Sequence, residues 1–77
     1  MPRRPPLLFA ETPRYGLEIT ELDDGKFELA IIDWELESGD DFTFDTVAGA
    51  QRSAVVCTGV TSIDWRAPPS ASSDSSA

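Results

Sequence analysis

The chain has 77 residues, a formal net charge of −8 and a sequence pI near 4.1, with a single cysteine and no histidine. That length holds one small domain, and neither an internal disulfide nor an ordinary zinc site is available to reinforce it. Self-association, as a homo-oligomer, or a protein partner is the remaining aid.

The charge is unevenly placed. Residues 1–16 carry Arg3, Arg4 and Arg14 against Glu11, a balance of +2. Residues 17–65 carry twelve acids against Lys26 and Arg52, a balance of −10, while Arg66 and Asp74 cancel in the remainder. A field of that sign repels nucleic acid and anionic lipid and steers the chain toward basic protein surfaces.

The sequence divides into an extended Pro-rich arm over 1–13, a small acidic β domain over 14–65 and a disordered Pro/Ser-rich tail over 66–77. In the arm, Pro2, Pro5, Pro6 and Pro13 fix φ and remove amide donors. Its apolar run, Leu7 to Ala10, is too short for a signal-peptide core or a membrane span, so a cytoplasmic protein without membrane contact is expected. Leu7, Leu8 and Phe9 have two uses open to them: packing back on the domain, or inserting into a neighbour.

The clearest local signal is a hairpin in which Tyr15–Leu22 and Phe27–Leu36 flank Asp23, Asp24 and Gly25. Two registers are open. A three-residue loop with a glycine bulge places Leu17, Ile19, Phe27, Leu29 and Ile31 on one face, whereas a two-residue Asp24-Gly25 loop groups Tyr15, Leu17, Ile19, Ala30, Ile32 and Trp34. The first is favoured because it keeps Phe27 inside. In either, the second strand is apolar on both faces and should lie centrally, covered on both sides.

Glu37 to Asp41 is expected to be a polar loop, Phe42–Val47 a strand, and Ala54–Trp65, rich in Val, Thr and Ile, a fourth strand with a bend at Gly59. Asp45 or Thr46 offers a cap for a short helix near 46–54 running through Val47, Ala50 and Ala54, although Gly49 weakens it. The fold class is therefore mainly β: a small four-stranded antiparallel meander of two hairpins, with irregular arms at both ends. Ile32-Asp33-Trp34 and Ile63-Asp64-Trp65 echo one another, but the residues before them hardly match, so the echo is read as coincidence.

No catalytic constellation emerges, and an enzyme is not expected. A serine nucleophile lacks an activating histidine, and Gly25-Lys26 falls in a hairpin where a phosphate-binding loop would lead into a helix. Cys57, among Val55 and Val56, reads as a small core residue. Glu37, Asp40, Asp41 and Asp45 crowd one loop with oxygen ligands but miss the calcium-loop spacing, so neither metal nor cofactor is expected.

Two binding functions remain. In the first, an inhibitor or adaptor of the kind that phages and mobile elements use imitates nucleic acid and occupies a basic groove on a protein. Its residues would be Glu35, Glu37, Asp40, Asp41 and Asp45, with Trp34 or Trp65 as an exposed aromatic anchor. In the second, a structural subunit of a virion or other assembly uses Leu7, Leu8 and Phe9 to hold its neighbours.

Overall fold

The computed structural model describes residues 5–68. Arg3 and Arg4 of the arm, and 69–77 of the tail expected to be disordered over 66–77, lie outside the described residues; Arg66, at the start of that tail, instead pairs with Phe9.

Strands β2 (Tyr15–Glu21) and β3 (Phe27–Asp33) form the central hairpin. Leu22 donates its N–H to the Lys26 carbonyl at 2.8 Å, and Gly25 donates to the Leu22 carbonyl at 3.1 Å. Asp23, Asp24 and Gly25 thus make the three-residue loop. Gly25 adopts a φ of 86°, a left-handed conformation that glycine takes without steric cost, and the Asp24 carboxylate accepts from the Lys26 N–H at 3.0 Å. The resulting register pairs Ile19 with Leu29 and Leu17 with Ile31, which is the first of the two readings.

Strand β4 (Ser38–Phe44) adds antiparallel to β3, and strand β1 (Leu8–Glu11) adds antiparallel to β2, giving a four-stranded sheet in the order β1-β2-β3-β4. The fold class agrees with the expected four-stranded antiparallel meander. Two of its strands lie elsewhere than expected. The N-terminal strand comes from the arm: Ala10 is buried and Leu8 packs on the core, so the arm turns back on its own domain. The polar run Ser38–Asp41, expected as a loop, is part of β4. The reversal occurs earlier, over Trp34 to Glu37, because the Asp33 carboxylate accepts the N–H groups of Glu35 at 3.0 Å and Leu36 at 3.1 Å and closes a tight turn.

The segment Ala54–Trp65 is not a strand. Its first part belongs to helix α1 (Val47–Thr58). Thr46 caps that helix, its Oγ1 accepting the Gly49 N–H at 3.0 Å, and Gly59 ends it with a φ of 75° and an N–H donated to the Val55 carbonyl. Caps at both ends, and a sheet face that needs covering, outweigh the β propensity of Val55, Val56 and Thr58. The small side chains of Ala50 and Ala54, both fully buried, let the helix lie close on Leu17, Ile19, Leu29 and Ile31. Beyond Gly59 the chain runs back along the same side, where Ile63 and Trp65 pack on the core and Arg66 pairs with Phe9. Ile63-Asp64-Trp65 therefore has a different setting from Ile32-Asp33-Trp34.

Cys57 is exposed, contrary to its expected place in the core. It lies in the last turn of α1, beside a shallow depression lined by Tyr15, Ile31, Leu36, Asp40 and Phe42.

One expectation for β3 is corrected as well. The strand is central, but α1 covers one face of the sheet alone, and among the described residues no helix or second sheet lies on the other. Ile32, on that open face, is 42% exposed.

Candidate protein-interaction surface

Strand alternation assigns each side chain of the sheet to one of two faces. Leu8, Ala10, Leu17, Ile19, Phe27, Leu29 and Ile31 point toward α1. The register then brings Phe9 and Glu11 of β1, Gly16 and Glu18 of β2, Glu28, Ala30 and Ile32 of β3, and Asp41 of β4 to the opposite face. At its centre are Phe9, Ala30 and Ile32, with the indole of Trp34 laid over Gly16. Carboxylates rim this apolar strip, and the four strands carry Glu11, Glu18, Glu21, Glu28, Asp33, Asp40 and Asp41 without one lysine or arginine.

The acids singled out from the sequence fall into two groups. Glu35 and Asp45 already have cations beside them. Arg14 reaches Glu35 at 3.5 Å while binding Asp33 with two nitrogens at 3.0 and 3.2 Å, and Lys26 donates to Asp45 at 2.8 Å. Glu37, Asp40 and Asp41 form no ion pair among the described residues. Glu37 sits in the β3–β4 turn with a φ of 54°, and Asp40 and Asp41 occupy β4, where successive residues face opposite ways. The cluster of four oxygen donors expected near one loop is thereby spread over a turn, two faces of a strand and the strand's end. Among the described residues no group of three or more potential ligands converges to hold a metal ion.

The two tryptophans are placed differently. Trp34 is 48% exposed at the edge of the open face, whereas Trp65 is half-buried against the core. In the arm, Leu7 is exposed, Leu8 points to the core side, and Phe9 lies on the open face with its backbone paired to Arg66 at 2.8 and 2.9 Å. Sequence reasoning missed Glu18, Glu28, Ala30 and Ile32 as members of this surface. The signal was present in the even-numbered positions of the favoured register; what obscured it was the assumption that both faces of β3 would be covered.

The titration behaviour also separates charge presentation from proton transfer. The Arg14 guanidinium, hydrogen-bonded to Asp33, holds that carboxyl below the ordinary carboxylate range; burial opposes the shift, and the N–H groups of Leu36 and Glu35 reinforce it. The ammonium of Lys26 lowers Asp45 in the same way. Both shifts favour the permanently charged form, the reverse of what a general acid near neutrality requires.

No family profile, curated protein or solved structure matches this chain. No helix among the described residues is long and apolar enough to cross a membrane.

Proposed function

We propose that this domain is a non-enzymatic protein-interaction module whose acidic surface docks on a basic groove of another protein, as an inhibitor or adaptor that imitates nucleic acid. The observation that carries the reading is the sheet itself: all of its strand charges are negative, and among the described residues no helix or second sheet covers one of its faces, where Trp34, Ile32 and Phe9 lie among carboxylates. Long-range attraction would speed the encounter with a basic surface, and the apolar strip would supply the desolvated centre that lowers the dissociation rate. The assembly-subunit alternative gains less support, because the arm on which it relies is bound into the sheet as β1, with Leu8 packed on the core.

The test is partner capture from source-cell lysate with the intact chain, at low and high ionic strength, followed by mass spectrometry. A retained protein should be basic, should elute steeply between 0.1 and 1 M salt as the Debye length contracts from about 10 to about 3 Å, and should be lost to the double variant D40K/D41K. Capture of the same protein by the charge-reversed chain at undiminished yield overturns the proposal.

A further inference from the structure

The two edges of the sheet are not alike. At β1 the outer edge is partly closed, because Phe9 and Arg66 exchange backbone hydrogen bonds. At β4 no described strand lies outside. The backbone groups left over there follow from the hairpin closure. Leu22 and Lys26 are a hydrogen-bonded pair, and Trp34 donates to the Arg14 carbonyl at 2.8 Å, so the even-numbered residues of β3 direct their N–H and C=O toward β2. The odd-numbered ones, Phe27, Leu29, Ile31 and Asp33, direct theirs to Phe44, Phe42, Asp40 and Ser38 of β4. The N–H and C=O groups of Gly39, Asp41 and Thr43 therefore point outward along the free edge.

Exposed edges of this length usually carry a lysine, a proline or a bulge that blocks further pairing. This one has none of these; its only guard is negative charge, at Asp40 and Asp41. That charge acts selectively. A second copy of β4 paired antiparallel about Asp41 would set Asp41 against Asp41, and like charges directly opposite are destabilising. The arm's own Arg3-Arg4 pair is bracketed by Pro2 and Pro5, which lack the amide donors a strand needs.

We infer that β4 is a strand-addition site for an extended, basic segment of a partner protein, which pairs antiparallel with the outward groups of Gly39, Asp41 and Thr43. The register dictates the segment's pattern. The residue opposite Asp41 lies on the open face and is basic. The next toward the C-terminus lies opposite Asp40, on the helix side, and is also basic. The residue preceding both faces Phe42, which is 41% exposed beside the depression at Cys57, and is apolar. The segment thus reads apolar, basic, basic from N to C. Main-chain bonds supply the affinity and these side chains the choice of partner. The inference rests on the proposed function and specifies how the basic partner is held.

The experiment uses the full chain, labelled with nitrogen-15, and three synthetic probes of equal charge at millimolar concentration and low salt: a peptide of that pattern flanked by threonines, the same peptide N-methylated at the residue opposite Asp41 and at the alternate residues on either side of it, and a scrambled peptide. Amide exchange is followed residue by residue. In the free chain the amides of Gly39, Asp41 and Thr43 exchange fast. With the patterned peptide at about four times its dissociation constant their exchange slows about fivefold, and the effect disappears with the N-methylated probe and with D41K. If all three peptides bind equally, shifting Glu18, Glu28 and Ile32 without protecting the β4 amides, strand addition is overturned while acidic recognition stands. If none binds, both fall.

Discussion

Gly16 is the position where a single methyl group separates the seated Trp34 from a free one. A Cβ there would lie 2.6 Å from Cζ2 and 2.8 Å from Cη2 of the indole, so G16A must displace the ring. The backbone at Gly16 has no positive φ, and alanine fits it without strain. A fully covered tryptophan buries about 150–250 Å². At 48% exposure roughly half of that, ~100 Å², is sheltered by Gly16 and its neighbours. At ~25 cal/mol per Å² the contact contributes at most ~2.5 kcal/mol. Replacing glycine within a strand returns about 0.5–1 kcal/mol through the lower entropy of the unfolded chain. The net expectation is a loss of at most about 1.5–2 kcal/mol, which lowers Tm by up to roughly 15 °C for a domain of this size. In a W65F background, where Trp34 is the only tryptophan, its emission should move to the red and its quenching by acrylamide should rise. Unchanged emission together with raised stability would show that the indole does not rest on Gly16, and would refute its place in the open face.

Removing the Thr46 hydroxyl in T46A takes away the acceptor for the Gly49 N–H and should destabilise the domain by about 1 kcal/mol in urea titrations, with T46S close to the parent. Deleting residues 1–13 removes β1, exposes the edge of β2 and uncovers the side of Leu17 and Ile19. Domains of this size are stable by about 0.05–0.15 kcal/mol per residue, so the truncated chain should lose cooperative unfolding by circular dichroism, and a folded truncated monomer would show β1 to be dispensable. Asp33 and Asp45 have folded pKa values depressed below the ordinary 3.8, so each contributes stability that is present above that value and is lost as the pH falls through the lower, folded one. D33N and D45N should accordingly flatten the fall in Tm below pH 4, D33N more strongly because Asp33 also accepts two backbone N–H groups. An unchanged acid profile would count against these pairs.

The central hairpin was legible because its signals agree. Asp-Asp-Gly marks the reversal, and the turn-proximal apolar residues share a face only in the observed register. The helix was legible at its start, where Thr46 precedes Val47, Ala50 and Ala54 at helical spacing, but not at its end. Val55, Val56 and Thr58 favour strands in isolation, and the cap at Gly59 together with the demand of the sheet for a cover decides against that preference. Strand β4 was hidden for a related reason: Ser38, Gly39, Asp40 and Asp41 have the composition of a loop, and an edge strand with little to bury shows weak alternation. The candidate surface was half visible. Acids could be counted from the sequence, but their grouping depends on register, which separates Asp40 from Asp41 and gathers Glu18, Glu28 and Asp41 from three strands.

A single-layer sheet with no described helix or second sheet on one face has an evident hazard, since two copies could cover each other's apolar strips. The excess of negative charge works against that outcome, because bringing two such faces together opposes carboxylates across a drying interface. The same charges favour a basic partner, so specificity arises from repulsion of the wrong occupant as much as from attraction of the right one. Salt must then act in opposite directions on the two associations. Raising ionic strength from 0.05 to 1 M should weaken binding to a basic protein while promoting self-association of the free chain, which analytical ultracentrifugation can follow at both salt concentrations. The variant I32K, which introduces a cation into the strip, should promote pairing of copies at low salt. If the chain instead stays monomeric at every salt concentration and I32K changes nothing, charge is not what keeps the open face vacant, and the surface is held apart by its shape.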